Sequence, residues 1–262
     1  MGKDPLYLRV CELLREECRL FAGASPDGRL LILPGIVAAI VPATPDRSAF
    51  NWVAPEHPDA LATHYQELAH AYAAAGVRAW TVWLDENDVG AAGFLAARGH
   101  RIDSRPVAMA AYLSDLELAE AGDLDWSETR DPGVIGRIND RAFGFPPPAF
   151  EAMLNRWPSG DWRGYVARLA GDPVGAVLAH AIAGGDCGVS GVATVPEARG
   201  RGIARRLLSV ALREARARGA VSTSLQASPL GTAVYAGLGY RALGTLHMWE
   251  RRTPPAGTGA EA

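Results

Sequence analysis

The sequence predicts an α/β protein in which a mixed, twisted sheet with flanking helices occurs twice. Strand-like and helix-like segments alternate along the 262 residues, and the order of segments in the first half returns in the second. The halves align at an offset of 140 residues, which places Gly99 on Gly239. We predict two related domains at 1–115 and 131–252, joined by an acidic, turn-rich linker at 116–130 and followed by a disordered tail at 253–262.

The first half is expected to open with a long amphipathic helix and then to alternate strands and helices. Gly76 and Gly99 each follow a helix-like segment, in the position after a helix end that favours glycine. Alternating apolar residues mark the strands. The predicted helices are 5–21, 59–75 and 89–98, and the predicted strands are 30–33, 36–41, 48–53, 77–84 and 107–113.

The second half is expected to repeat this order. Gly171-Asp172 lies between two strand-like segments and is a strong hairpin signal. Apolar residues at 203, 207, 208, 211 and 215 fall on one face of a helix that ends before Gly219. The predicted helices are 132–142, 150–157, 202–218 and 230–237, and the predicted strands are 162–170, 173–181, 187–195, 221–226 and 241–251.

Composition is that of a globular protein and excludes several function classes. The net charge of −3 gives no basic surface for nucleic acid or an anionic membrane. The start has no apolar signal segment, and the apolar run at 30–43, broken by Pro34 and Gly35, is too short to span a bilayer. Three cysteines and six histidines occur in no metal-ligand spacing, so no metal is expected. We expect a cytoplasmic protein.

The segment from Val192 to Ala204 carries the clearest chemical signal. It predicts a strand, a glycine-containing turn and the first turn of a long helix, whose start leaves several backbone N–H groups without partners. Gly200 and Gly202 let an anion approach the main chain, and a pyrophosphate suits such a site. Neither a GxxxxGK[ST] loop nor a complete GxGxxG is present. The alternative is a tight turn that binds nothing.

Two motifs in this half resemble the GNAT superfamily of N-acetyltransferases. Arg199-Gly-Arg-Gly202-Ile-Ala204, after Val195-Pro196, matches the pyrophosphate loop of that family. The stretch 228–240 matches its second motif, a helix that carries a tyrosine and ends in leucine-glycine-aromatic, and the likeness covers about 162–250. The resemblance implies a GNAT fold with acetyl-CoA between two splayed strands. It implies cofactor contacts from Ala193, Thr194, Val195, Arg199, Gly200, Arg201, Gly202, Ile203, Ala204 and Ser228.

The resemblance also implies a catalytic arrangement. An N–H of Ala193 or Val195 is expected to polarise the thioester oxygen, and Arg199, Arg201 and Arg205 to add charge beside the pyrophosphate. Tyr235 matches the tyrosine that protonates the departing CoA thiolate. By itself, Tyr235 is better interpreted as a core aromatic residue on a short helix, and the matching cofactor loop is what favours the catalytic role.

The general base and the acceptor site are less readable. Four residues near the expected cleft are alternatives for the base, and no choice among them is made: Asp186, His180, His247 and Glu197. The segment 145–157 lies where such enzymes recognise the acceptor, and its proline run and the aromatic Phe145, Phe150 and Trp157 suit an apolar pocket wall. A rigid surface loop is the alternative.

The first half lacks this machinery. At the 140-residue offset Tyr235 falls on Leu95 and Ser228 on Asp88, no glycine stands at the corresponding helix start, and Pro58 removes an N–H donor. We expect a degenerate, noncatalytic GNAT-like domain that packs on the second and shapes its substrate cleft. His57, His64 and His70 are interpreted as packing or surface residues.

The sequence thus predicts an N-acetyltransferase that transfers acetyl from acetyl-CoA to a small-molecule amine by direct attack. A noncatalytic acyl-CoA-binding regulatory module and a protein N-acetyltransferase are the alternatives. Assembly is left open, with a homodimer among the options.

Overall fold

The computed structural model describes residues 3–146 and 149–254. Its helices are α1 (Pro5–Ala24), α2 (Ala60–Ala74), α3 (Val89–Ala96), α4 (Pro132–Phe143), α5 (Phe150–Met153), α6 (Ile203–Ala217) and α7 (Thr232–Ala236). Its strands are β1 (Arg29–Leu33), β2 (Ile36–Ile40), β3 (Trp52–Pro55), β4 (Ala79–Asp85), β5 (Arg101–Ser104), β6 (Val107–Tyr112), β7 (Asp125–Thr129), β8 (Trp162–Leu169), β9 (Asp172–Ile182), β10 (Asp186–Thr194), β11 (Ser222–Ala227) and β12 (Arg241–Arg252). The tail predicted as disordered lies, from residue 255, outside the described residues.

The strands form one mixed sheet with helices on its faces, which confirms the predicted α/β class. The order is β1-β2-β3-β4-β12-β6-β11-β10-β9-β8-β7, and β5 also pairs with β12. Parallel pairing occurs at β3–β4 in the first half and at β10–β11 in the second, while the other pairs are antiparallel. The two parallel pairs correspond to each other in the order of elements along the chain.

Two strands cross between the halves. β6 belongs to the first half of the sequence but pairs antiparallel with β11, with Val107 opposite Ala227 and Tyr112 opposite Ser222. β12, the last strand, pairs with β6 through its beginning and with β4 through Leu246–Arg252. The two halves are therefore joined by strand pairing as well as by the linker predicted at 116–130. Each half supplies a strand to the sheet of the other.

Several local predictions differ from the structure. The segment 116–130 contains β7, whose polar sequence hides an edge strand paired with β8. β5 is a further short polar strand that its sequence does not mark. The helix expected at 150–157 is the single turn α5, and the strand expected at 48–53 begins only at Trp52. Short, polar edge elements have little apolar periodicity to reveal them.

Helix α1 lies across the junction of the two halves. Asp4 caps it by accepting from the Leu6 N–H at 2.9 Å, and Pro5 stands in its first turn, where a missing N–H costs nothing. It packs on β2, β3 and β6 of the first half and on β10 and β11 of the second. Val10, Leu14 and Phe21 bury its apolar stripe. None of the helices in the described ranges combines the length and apolarity that a bilayer crossing requires.

Candidate functional site

Strands β10 and β11 pair over a short stretch and then separate. Their parallel register joins Asp186–Gly188 with Ser222–Ser224 and goes no further in the part of the chain that is described. A bulge between Ser190 and Ala193, with Gly191 at φ +56°, bends β10 away from the pairing direction. The carboxyl ends of the two strands therefore leave a gap between them, as the resemblance implied.

The main chain of β10 offers one edge to this gap. The Val195 N–H donates to the Val174 carbonyl at 2.9 Å, and Ala193 lies opposite Ala176 in the same ladder. Because N–H directions alternate along a strand, the amides of Ala193 and Val195 point toward β9 and that of Thr194 points into the gap. A thioester donor role for Val195 would require its bond to Val174 to break, so Thr194 is the better placed donor.

The turn before α6 exposes a run of free N–H groups. Gly200 and Gly202 adopt φ +76° and +70°, and a Cβ built on either would meet nothing within 4 Å. The helical ladder begins with the Arg206 N–H donating to the Gly202 carbonyl at 3.0 Å. Within the described ranges, the six N–H groups from Gly200 to Arg205 have no protein acceptor. A loop of this geometry can hold an anion, and we call the segment from Gly200 to Arg205 the cradle.

The corresponding helix start in the first half is closed. The N–H groups of Ala60, Leu61 and Ala62 donate to the carbonyls of His57, Pro58 and Asp59 at 3.0–3.2 Å. With those donors already paired, the start of α2 has few N–H groups left for a phosphate. The difference between α2 and α6 matches the absence of glycine at the first position and its presence at the second.

The three arginines near the cradle differ in role. Arg199 donates to the carbonyls of Ala142 at 2.5 Å and Thr194 at 3.2 Å, so it ties the loop to α4 and β10. Its expected contribution of charge beside a phosphate is reduced by that engagement. Arg201 and Arg205 are exposed and form no ion pair with any described residue. They are the side chains available to a phosphate at the cradle.

Tyr235 lies in α7, beyond the end of β11. It is buried, its ring packs edge-on against Tyr240 at 5.8 Å, and its hydroxyl has no bonding partner among the described residues. Burial raises the pKa of the phenol above its usual value, so the group keeps its proton at neutral pH. Ser228 precedes this helix, and its Oγ accepts from the Gly231 N–H at 3.3 Å.

A cavity of about 350 Å³ lies beside the gap and is lined by both halves. The second half contributes Ser190 and Gly191 of β10, together with Gln226 and Ser228 at the end of β11. The walls are aromatic, and the main contributors are Phe21, Phe50, Trp52, Trp83, Phe145 and Phe150. Size and apolar walls with few polar groups are typical of a small-molecule site.

The segment predicted to recognise an acceptor supplies part of this wall. Asp140 accepts from the Phe150 N–H at 2.7 Å, which ties α5 to α4, and Phe150 packs on Phe50 at 4.7 Å. Trp157 instead covers Gly164, where a Cβ would lie 2.8 Å from its ring. Two of the three predicted aromatics, Phe145 and Phe150, therefore line the cavity. Pro147 and Pro148 of the proline run lie outside the described residues.

Glu17 of α1 is the site residue that the sequence analysis missed. It is 3% exposed, it lines the cavity, and the Ser190 hydroxyl donates to its Oε1. Its Oε2 has no partner that meets hydrogen-bond geometry within the described ranges. Burial raises the pKa of this carboxyl to about 8, although the neighbouring Ser190 and Gln226 side chains lower it. The sequence feature that could have identified this residue is a glutamate among the apolar residues on the buried face of α1.

The four bases considered from sequence lie elsewhere. His180 stacks on Trp162 at 4.2 Å and faces Glu16, while Glu197 pairs with Arg141 on the surface. His247 stands in β12 opposite Leu84. Asp186 is buried at the closed end of the strand pair and accepts from the hydroxyls of Ser222 and Ser224, each at 2.6 Å. None of the four is among the residues that line the described cavity.

Comparison with known proteins finds acetyltransferases of the GNAT family, the family that the sequence motifs resemble. The sequence model of the Acetyltransferase (GNAT) family matches residues 123–240. A GCN5-related N-acetyltransferase from Kribbella flavida is similar over 94% of this chain and 96% of its own, with 20% identity and a TM-score of 0.68. One from Sphaerobacter thermophilus covers 93% of both chains at 19% identity and a TM-score of 0.54. A tandem GNAT protein from the clavulanic acid biosynthesis pathway covers 95% and 96% at 14% identity and a TM-score of 0.57. No curated protein sequence matches the chain.

Proposed function

The chain belongs to the acetyltransferase (GNAT) family through residues 123–240, and from this premise we propose that it transfers acetyl from acetyl-CoA to the amine of a small molecule. The observation that carries the proposal is the run of six N–H groups from Gly200 to Arg205 that have no acceptor among residues 3–146 and 149–254, beside the gap between β10 and β11. Such a run suits the pyrophosphate of coenzyme A. The gap has the extended edge that a pantetheine arm needs for strand-like pairing.

Each group of the chain then has a defined task. The cradle binds the pyrophosphate, and Thr194 presents its N–H to the thioester oxygen, where a preorganised donor contributes roughly 3–4 kcal/mol to the transition state. The amine nitrogen attacks the thioester carbon, a C–N bond forms and the C–S bond breaks. Tyr235 gives its proton to the departing thiolate and regains one from the acylated nitrogen. Holding both reactants in line contributes to the rate.

The aromatic walls and the size of the cavity support a small acceptor over a protein substrate. Its aromatic walls are built from both halves of the chain, and its volume of about 350 Å³ is that of a small-molecule pocket. The first half, with its closed helix start, is proposed to serve as one wall of this acceptor site.

The test combines cofactor binding with turnover. We expect calorimetry on the full chain to show coenzyme A binding, and thiol release from acetyl-CoA to require an added small amine. Tyr235→Phe should lower turnover roughly 10²-fold with little change in CoA affinity, while Tyr112→Phe, at an exposed tyrosine, should change neither. CoA binding without turnover on any amine would favour the acyl-CoA-binding module, and turnover on peptides alone would favour protein acetylation.

A further inference from the structure

The cavity beside the gap contains a buried carboxyl group to which the acetyl-transfer mechanism above gives no role. Glu17 projects from α1 to the cavity wall, and the Ser190 hydroxyl holds one of its oxygens. Ser190 directly precedes the bulge of β10 that leads to Thr194. Ser190 and Gly191 line the same cavity, so the carboxyl lies on the wall that β10 forms ahead of Thr194, the residue assigned above to the thioester.

Its surroundings match a cation attached to an apolar body. Glu17 and Asp103 are the ionisable residues on the described cavity wall, and no arginine, lysine or histidine lies there. Asp103 is exposed to solvent, whereas Glu17 is buried. Among the described residues Oε2 of Glu17 has no partner of hydrogen-bond geometry, although the Gln226 amide faces the carboxyl, and a buried polar atom of this kind costs free energy until a donor fills it.

We propose that Glu17 is the general base of the reaction and that the acceptor is a primary amine on an aromatic or branched aliphatic body. This inference rests on the proposed acetyl transfer. The ammonium of the acceptor donates to Oε2 and passes one proton to it, which frees the nitrogen lone pair. The nitrogen then attacks the thioester carbon, coenzyme A leaves as the thiol, and Glu17 releases its proton to solvent.

The basicity of the group agrees with this role. A carboxyl with its usual pKa is a poor acceptor for an ammonium proton, whose pKa lies near 10, but burial raises the pKa of Glu17 to about 8. Ser190 of β10 and Gln226 of β11, both uncharged, face it. The other titratable groups that share its surroundings are the Cys18 thiol on the same helix and the Asp103 carboxyl across the cavity.

The experiment compares the full chain with Glu17→Gln and with Glu16→Gln, which alters the neighbouring carboxyl that faces His180. With 2-phenylethylamine as the probe, E17Q should lower kcat/KM roughly 10²–10⁴-fold while CoA binding by calorimetry is unchanged. E16Q should keep the activity of the parent. The parent pH profile should rise with a limb near pH 8, and E17Q should lack that limb. The acyclic triamine spermidine should be a poorer substrate than 2-phenylethylamine.

A second variant keeps the test decisive if E17Q loses CoA binding through misfolding. Ser190→Ala removes a hydrogen bond that lowers the pKa of Glu17, so the limb should move to higher pH. The inference is overturned if E17Q keeps activity within about 3-fold of the parent together with its limb, if S190A leaves the limb in place, or if spermidine is preferred. Failure of the parent protein to acetylate any amine would refute the proposed acetyl transfer itself. Because that result comes from the parent protein and not from a variant, it is distinct from failure of the role proposed for Glu17.

Discussion

Gly231 lies directly against the ring of Tyr235. A Cβ built on Gly231 would be 2.9 Å from Cε2 of that ring, closer than real Cβ contacts allow, and the Tyr235 N–H donates to the Gly231 carbonyl at 3.2 Å. The orientation of the phenol therefore depends on the missing side chain one helical turn earlier. The leucine-glycine-aromatic end of α7 is conspicuous in the sequence, but this contact is visible only in three dimensions.

Gly231→Ala is expected to displace the phenol and lower turnover about 10-fold or more, because the buried ring cannot yield without moving its neighbours. CoA affinity should change little. The control is Gly93→Ala in α3, the corresponding short helix of the first half, where a Cβ meets nothing within 4 Å. That control should be slightly stabilising and leave turnover intact. Steady-state kinetics on both variants tests this prediction. Equal turnover rates for the two variants would show that Gly231 does not determine the position of the Tyr235 ring.

Gly202→Ala is expected to weaken coenzyme A binding about 10-fold, because a methyl group would enter the space where the phosphate approaches the cradle. Gly76→Ala is its matched control. Both glycines have φ +70° and an unobstructed Cβ position, so each substitution carries the same backbone cost of about 1 kcal/mol. The melting temperatures of the two variants should therefore shift by similar amounts. Calorimetry should show weaker coenzyme A binding in Gly202→Ala alone. Equal CoA affinity in both variants would remove the cradle role of Gly202.

The free arginines predict a salt-dependent contribution to cofactor affinity. Arg201→Gln and Arg205→Gln should each weaken CoA binding about 2- to 5-fold at low ionic strength, and the loss should shrink as salt screens the exposed charges. Arg216→Gln, at the far end of α6, is also exposed and changes net charge equally. It should have no effect on binding at any salt concentration. A loss from R216Q as large as that from R201Q would indicate a general charge effect.

Glu17 also predicts how stability depends on pH. Its pKa rises from 4.5 to about 8 on folding, so between these values the folded protein holds a proton that the unfolded chain has released. The free energy of unfolding should therefore fall as pH rises through this window, by up to about 5 kcal/mol from this group, and level off above pH 8. Glu17→Gln should flatten that part of the curve. Denaturant melts at several pH values measure it, and parallel curves for the two proteins would contradict it.

The parts that sequence could predict are those governed by local pattern. The apolar stripe of α6, the glycines that end α2 and α6, and the hairpin at Gly171 rest on residues close together in the chain. The cradle is local as well, because Gly200, Gly202 and the start of α6 occupy consecutive positions. Turn and helix-start chemistry fixes its geometry without help from distant segments.

The parts that sequence could not predict depend on which distant segments meet. Alternation marks β6 and β12 as strands but does not show that they cross between the halves. The direction of the Val195 N–H follows from its register with β9, and register is a property of the pair of strands. Glu17 became a site residue only because α1 packs against β10 of the other half.

The strand exchange predicts that the first half does not fold by itself. A chain of residues 1–115 lacks β12, and so β4 loses its antiparallel partner over Ala79–Asp85, while β6 loses β11. Both strands would then expose unpaired backbone and apolar side chains that are buried in the full chain. We expect circular dichroism of this fragment to show no cooperative thermal transition.

The matched control is the full chain cleaved once within the segment 116–123, with both pieces kept together. The nicked protein keeps every strand pair, because β6 and β12 remain hydrogen-bonded across the cut, so it should melt cooperatively and bind coenzyme A. If the fragment 1–115 melted cooperatively with a β-sheet signal of its own, β12 would be dispensable to the first half. The exchange would then be a contact between two independently stable units, since neither would need the strand of the other to close its core.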